Sequence, residues 1–304
     1  MSLREAIKKK KFIVTSETAP PKGTDTSKML ANARPLVGKV DAINVTDLQS
    51  AVMRLGSLTG CYLLKQIGID PIFQITCRDR NRLSLSSELL SASTLGIKNV
   101  LVLTGDHPLS GDHPEAKPVF DLDAVQLLGA AKGLMLGKDM SGNKLDGAPD
   151  FYLGAVVNPC ADPLEPELIK MKKKIDSGAQ FFQTQAVFDV KSFNFFMKKV
   201  SKYNVPIIAG IILLKSAKMA VYMNDNVAGI YVPDTLIKQI DSASDKQEEA
   251  IQIACSLIDR LRDVCNGVHI MPIGWETLVP GIIDRAGLAG RQAYKKTSGG
   301  YYEP

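Results

Sequence analysis

The sequence predicts an α/β protein, a single (β/α)8 TIM barrel with its active site at the C-terminal ends of the strands, and three observations lead there. Eight short runs, apolar and β-branched almost throughout, recur along the chain; segments with helical spacing separate them; and polar residues gather at the C-terminal ends of the runs. Runs that are apolar on both faces and alternate with helices belong to a parallel sheet covered on both sides, and eight of them in one chain favour closure. A length of 304 residues suits one such barrel with insertions.

The runs are "FIVTSET" (12–18), "VDAINVTD" (40–47), "PIFQITC" (71–77), "NVLVLTGD" (99–106), "FYLGAVVNP" (151–159), "FFQTQAVF" (181–188), "VPIIAGIILL" (205–214) and "GVHIMPIG" (267–274). Between them "LSSELLSASTLGI" (85–97), "EPELIKMKKKIDSGA" (165–179) and "EEAIQIACSLIDRLRDVC" (248–265) carry helical periodicity, several behind a Pro, Ser or Asp that fits a helix start. "IGIDPI", "LGIKNV" and "SGAQFF" each place a glycine just before the next strand, where a left-handed helix cap belongs. Two stretches break the rhythm: 107–150, with a predicted helix at 122–136 and a polar loop at 137–150, and 215–247, with two short predicted helices. The whole chain, 1–304, reads as one domain with its core at about 12–288 and a frayed tail at 296–304.

Composition narrows the class. With 45% hydrophobic and 23% charged residues the chain is not disordered, and no apolar run nears the roughly 20 residues of a membrane helix. The start "MSLREAIKKKKFIVTSE" lacks the apolar core and cleavage site of a secretory signal, so a cytoplasmic protein is expected. Five cysteines form no Cys-x-x-Cys pair and read as buried or strand-end thiols rather than disulfides, cluster ligands or a zinc site. The net charge of +5 is mild, and the runs Lys8–Lys11 and Lys172–Lys174 read as solvated helix faces; no aromatic or Arg-rich pattern suggests nucleic acid.

The strand ends carry the chemistry. They present Glu17, Thr46-Asp47, Gln74 with Thr76-Cys77, Thr104-Gly105-Asp106, Asn158, and Gln183-Thr184-Gln185, which in a barrel converge on one ligand pocket. Its charge is sparse, with Glu17 and Asp106 as the two acids, and that suits a flat heteroaromatic ligand read by hydrogen bonds. The loops after the last two strands, "LLKSAKM" and "MPIGWE", lack a Gly-rich phosphate turn, so a sugar-phosphate enzyme is disfavoured; Lys215 reads as a solvent-reaching lysine rather than a Schiff base. The segment "TGDHPLSGDHPEAKP" repeats Gly-Asp-His-Pro, but two histidines six apart, each followed by Pro, do not make a metal site of three or four convergent ligands, and none is expected. The first copy closes strand four, with Asp106 at the mouth; the second, Asp112-His113, serves the loop.

"TSETAPPKG" around Glu17, "LVLTGDHP", "KKIDSGAQFFQTQAVFD" and "VPIIAGI" together resemble the methylenetetrahydrofolate reductase family, in order and over about residues 12–288. "QITCRDRNRL" and "GAVVNP" resemble its branch from anaerobic, acetogenic bacteria, whose flavin subunit works beside a small zinc- and iron–sulfur-bearing subunit. The resemblance implies reduction of 5,10-methylenetetrahydrofolate to 5-methyltetrahydrofolate by hydride transfer from a reduced flavin, FAD by resemblance with FMN as the other form, fed by an electron-delivering protein partner. Glu17 matches the family's acid; under a stacked ligand a carboxyl can donate a proton near neutral pH. Asp106 matches the aspartate whose charge steadies a cationic iminium. Gln185, with Gln183, matches pterin-binding glutamine. Flavin contacts carry over to Thr46, Gln74, Leu103, Thr104, Gly105, Asp106, Phe120, Asp121, Asn158, Glu167 and Lys174. Three positions depart from the family: Thr104 where many members have Arg, "NPCADP" without a histidine, and Lys215-Ser216-Ala217 where an aromatic often stacks on nicotinamide or folate. Direct oxidation of NAD(P)H is therefore not implied. A flavin-free pterin-binding or methyl-carrier subunit is the alternative.

Overall fold

The structure is a computed structural model that describes residues 1–9 and 11–289; Lys10 and the tail expected at 296–304 lie outside the described residues. Eight strands close into a parallel barrel in sequence order: β1 Ile13–Thr18, β2 Ala42–Val45, β3 Pro71–Thr76, β4 Asn99–Leu103, β5 Tyr152–Val157, β6 Phe181–Ala186, β7 Ile207–Ile212 and β8 Gly267–Met271, with β8 paired to β1. Each lies inside its predicted run. The helices are α1 Leu3–Lys8, α2 Ser27–Ala33, α3 Ser57–Gln66, α4 Arg82–Thr94, α5 Ala124–Met135, α6 Glu165–Asp176, α7 Val190–Val200, α8 Ala217–Asn226, α9 Asp234–Ser242, α10 Lys246–Leu261 and α11 Val279–Arg285.

Two-residue periodicity sorts each strand's side chains between two cores. Val14, Ile43, Val45, Phe73, Ile75, Val100 and Val102 point outward into a large cluster shared with the helices. Ile13, Ala42, Ile72, Leu101, Tyr152, Phe181 and Ile208 point inward and fill the N-terminal half of the barrel, closed from below by Leu3 and Ala6 of α1. The Tyr152 and Phe181 rings stack there at 5.0 Å. Gly154 makes room, since a Cβ at that position would stand 2.2 Å from the Phe181 ring. The next inward layer is polar: Thr15, Asn44, Gln74, Gln183 and His269 are all buried. The barrel is thus apolar below and polar above, and the change of character sets the floor of the site.

Gly68, Gly96 and Gly178, the three glycines expected to cap helices, have φ of 84°, 71° and 118°, a region that side chains with a Cβ rarely enter. The irregular stretches hold the expected helices, α5 in the first and α8 with α9 in the second. No helix among the described residues is long and apolar enough to cross a membrane. All five cysteines are unpaired; burial pushes Cys77 and Cys265 up to about 12 and Cys160 up to about 11, so none is a ready nucleophile.

Candidate active site

A cavity of about 810 Å³ opens at the C-terminal ends of the strands, within the usual range for a small-molecule site. Glu17, Thr46, Gln74, Leu103, Thr104, Gly105, Asp106, Asn158, Glu167, Lys174, Gln183 and Gln185 all line it. Twelve positions picked between Glu17 and Gln185 come together because every strand of a closed parallel barrel ends on the same side. Phe120 and Asp121 stand apart from this lining. Val119 N–H donates to the Arg78 carbonyl (2.8 Å), Asp121 accepts from Arg82 through both carboxylate oxygens, and the Phe120 ring stacks on His107 at 6.3 Å. Arg82 draws the Asp121 carboxyl down to about 2.

Thr46 carries the clearest sign of a missing partner. It is 2% exposed, and its hydroxyl has no hydrogen-bond partner among the described residues. A buried hydroxyl left unpaired costs about 1–3 kcal/mol, so its position at a cavity wall fits a polar ligand atom. The lining mixes amides and hydroxyls with more charge than the sparse pair of acids expected from sequence: Asp47, Arg78, Asp123, Glu167, Lys170, Lys173, Lys174 and His269 stand there beside Glu17 and Asp106.

Glu17 ends the inward row Ile13, Thr15, Glu17, with its side chain 11% exposed and Oε2 at 3.6 Å from His269 Nε2. Asp106 lies exposed at the rim. Its carbonyl accepts from Arg78 Nη1 at 3.3 Å, and Arg78 Nη2 donates to the Leu48 carbonyl at 3.2 Å. Arg78 is 2% exposed and paired with Asp79, so a guanidinium ties the loops after β2 and β4 together beneath the rim. Gly105 has φ of 92°, and a Cβ there would sit 3.1 Å from Thr76 Cβ and 3.2 Å from Arg78 Cβ; the turn that presents Asp106 needs glycine.

Backbone strain concentrates in the same loops. Leu48, Ser50, Ala51, Phe120 and Ile273 have φ between 39° and 56°, and all follow the C-terminal ends of strands. Lys22 and His113 hold Asp112, which also accepts from Met53 N–H at 2.9 Å; the second Gly-Asp-His-Pro thus staples the strained loop after β2 to the segment after β4. The first histidine, His107, accepts from Leu109 N–H and opens a short 3₁₀ turn.

His269, Arg78 and the Asp47–Arg80 pair join the site beyond the residues expected from sequence. His269 had a legible signal, since Gly267, His269 and Met271 follow the inward two-residue rhythm of β8. Arg78 had none, because the carbonyls that it bridges lie 28 and 30 residues away.

The sequence pattern of the methylenetetrahydrofolate reductase family matches residues 2–287. The chain belongs to that family. A 5,10-methylenetetrahydrofolate reductase of Escherichia coli (strain K12) is 26% identical over 187 residues, covering 60% of this chain and 56% of that protein. A probable NADPH-dependent methylenetetrahydrofolate reductase of Caenorhabditis elegans is 25% identical over 236 residues, 74% of this chain and 34% of the relative. The chain therefore spans about a third of the nematode protein's length and less than two thirds of the bacterial one. Among solved structures, an uncharacterized protein from Clostridium thermocellum that binds two copies of 5-methyl-5,6,7,8-tetrahydrofolic acid shares the fold, with a TM-score of 0.63 at 17% identity, over 95% of this chain and 99% of that one.

Within this family member the wall formed by β5 and α6 is already tied into the protein. Asn158 N–H donates to Glu167 Oε1 (3.0 Å), and Asn158 Nδ2 donates to the Ala228 carbonyl (3.0 Å). Lys174 is 5% exposed and donates to the Val156 carbonyl at 2.7 Å, so it is not part of the solvated lysine face to which its neighbours belong. Burial pushes its ammonium below the ordinary lysine value, with Glu167 pulling it back up. The folded chain therefore holds this proton less tightly than the unfolded chain. Between the lowered value and the unfolded value of about 10.4, stability rises with pH. The expected result is that the melting temperature of Lys174→Met minus that of the parent falls as pH is raised from about 7 to about 10.4. An unchanged difference across that window shows that Lys174 titrates as an exposed lysine.

Proposed function

We propose that the chain is a flavin-dependent reductase of 5,10-methylenetetrahydrofolate, forming 5-methyltetrahydrofolate, and that it works as the flavin subunit of a complex. The observation that carries this reading is the buried, unpartnered Thr46 hydroxyl in the same cavity that Gln74, Lys174, Glu17 and Gln185 line. Thr46, Gln74, Leu103–Asp106, Asn158, Glu167 and Lys174 would hold the flavin, as FAD or FMN. When bound, the flavin supplies the hydride. Phe120 and Asp121 contribute from outside the cavity, by shaping the loop beside His107.

The protein's own part is acid catalysis and charge. The one-carbon bridge of the substrate joins two amines and opens when one of them leaves. Glu17 gives its proton to the departing amine nitrogen; the carbon–nitrogen bond breaks with its electron pair on that nitrogen, leaving a cationic iminium and a Glu17 carboxylate. Asp106 lies near enough to the mouth to favour the cation. Gln185, whose amide oxygen turns back onto Ala186 N–H at 3.1 Å, orients the pterin with its other end, and Gln183 supports the floor. After β7, Ser216 caps α8 and Lys215 lies over the Trp275 ring at 5.1 Å, in the place where the family's stacking aromatic is expected. This arrangement favours electrons arriving through a protein partner rather than from a stacked nicotinamide.

A second reading, a flavin-free methyl-folate carrier, draws on the Clostridium thermocellum barrel and its two bound methyl-folates. An anaerobic spectrum of the purified, flavin-reconstituted chain separates the readings. The expected result is absorbance near ~450 nm that bleaches with 5-methyltetrahydrofolate and not with NADH. Failure to retain flavin favours the carrier, and bleaching by NADH removes the need for a partner.

A further inference from the structure

The polar layer beneath the mouth forms a chain of hydrogen bonds that ends at His269, whose far ring nitrogen faces Glu17. Asn44, Gln183, Thr15 and His269, from β2, β6, β1 and β8, are each 3% exposed or less. Asn44 Nδ2 donates to Gln183 Oε1 at 2.7 Å, and Gln183 Nε2 donates to Asn44 Oδ1 at 3.1 Å and to Thr15 Oγ1 at 3.3 Å. Thr15 Oγ1 lies 2.9 Å from His269 Nδ1, and the opposite ring nitrogen, Nε2, faces Glu17 Oε2 at 3.6 Å.

With the Gln183 amide turned so that Nε2 faces Thr15, counting hydrogens gives the direction. A threonine hydroxyl owns one hydrogen. Thr15 Oγ1 receives an N–H from Gln183, so its own hydrogen goes to its other neighbour, His269 Nδ1. A ring nitrogen that accepts carries no hydrogen, which places the hydrogen of a neutral imidazole on Nε2. In that amide orientation the opposite tautomer would send Nδ1–H to Thr15 and leave a buried O–H with no acceptor.

We propose that His269 is a positioning residue for the acid: Thr15 fixes its Nε2–H tautomer, that N–H occupies Oε2 of Glu17, and the acid's proton is thereby carried and delivered by Oε1. The proposal rests on the reading of Glu17 as the acid given above. A carboxylic acid with both oxygens equivalent holds its proton on the wrong one part of the time; a donor fixed on Oε2 removes that state. The 3.6 Å separation exceeds a hydrogen bond by a few tenths of an ångström, a distance that catalytic contacts commonly close when ligand binds. Other charged groups of the layer are committed elsewhere: Asp47 to Arg80, and Arg78 to Asp79.

The first test needs no turnover. Nitrogen-15 NMR of the histidine rings in the ligand-free chain, with the two loop histidines assigned by substitution, is expected to show His269 neutral with hydrogen on Nε2. In Thr15→Val the Nδ1–H form is expected to grow. The same variant, reconstituted with flavin and reduced by dithionite, is expected to reoxidise with 5,10-methylenetetrahydrofolate at least about tenfold more slowly at saturation, with KM within about twofold. Thr15→Ser, which keeps the hydroxyl, is expected to restore most of the lost rate. Hydrogen on Nδ1 in the parent chain overturns the proposal, and so does parental turnover in a folded Thr15→Val. Normal turnover in Glu17→Gln overturns the reading of Glu17 and leaves the tautomer result standing; an inactive Glu17→Gln beside an Nδ1–H His269 overturns this inference alone.

Discussion

Glu17→Gln is expected to slow the reaction of reduced flavin with 5,10-methylenetetrahydrofolate by about 10²–10⁴-fold, the usual worth of a positioned acid, while flavin binding and reduction continue. The expectation follows from what the amide keeps and what it loses. Glutamine has the same shape, so the end of β1 and the packing against His269 survive; it has no proton that a departing amine can take. Because Glu17 belongs to the inward row of β1 and lines the cavity with an 11% exposed side chain, few waters can stand in for it once a ligand covers it. Single-turnover stopped-flow on the pre-reduced variant isolates this step from the supply of electrons. A rate within threefold of the parent removes Glu17 from the role and returns attention to Asp106, the other carboxylate that ends a strand at this mouth.

The family resemblance and the barrel were legible for a common reason. Strands buried on both faces leave a nearly continuous apolar record, and in a closed parallel barrel the residue that ends each run must stand at the mouth. Thr46, Gln74 and Asn158 could therefore be placed from one dimension. What stayed hidden depends on contacts between strands distant in sequence. "CRDRNRL" carries no one-dimensional sign of burial, yet Arg78 is among the most buried side chains of the described residues, with the Leu48 and Asp106 carbonyls converging on it. Lys174 reads as one of a helical triplet until α6 turns it under the Val156 carbonyl. Phe120 and Asp121 failed to reach the cavity lining because they sit in a loop, where position is set by the anchors at Arg78 and Arg82 and not by strand periodicity.

The largest stability loss is expected at Asp47. Its side chain is fully buried and accepts four hydrogen bonds: two from the Arg80 guanidinium, at 2.8 and 3.0 Å, and two from Thr76, through N–H at 2.9 Å and Oγ1 at 2.8 Å. Arg80 Nε also pairs with Glu88 of α4 at 2.6 Å, so one carboxylate links the ends of β2 and β3 to the following helix. Asp47→Ala leaves the Arg80 guanidinium with only Glu88 and the Thr76 carbonyl and leaves the buried Thr76 N–H without its acceptor, and breaking a buried pair in this way costs about 3–5 kcal/mol. For a domain of this size that is a fall on the order of 10 °C in melting temperature. Asp47→Asn keeps the shape and part of the hydrogen bonding, so a smaller loss is expected, while Asp150→Ala, which breaks the exposed pair with Arg4, is expected to cost no more than about 1 kcal/mol. Urea unfolding of the three variants ranks them. If Asp47→Ala falls with Asp150→Ala, the pair is solvent-screened and the loops carrying Leu48 and Arg78 are held by the guanidinium–carbonyl bonds alone; if it falls far below, the ion pair is the foundation of the mouth on which Thr46, Gln74 and Asp106 depend.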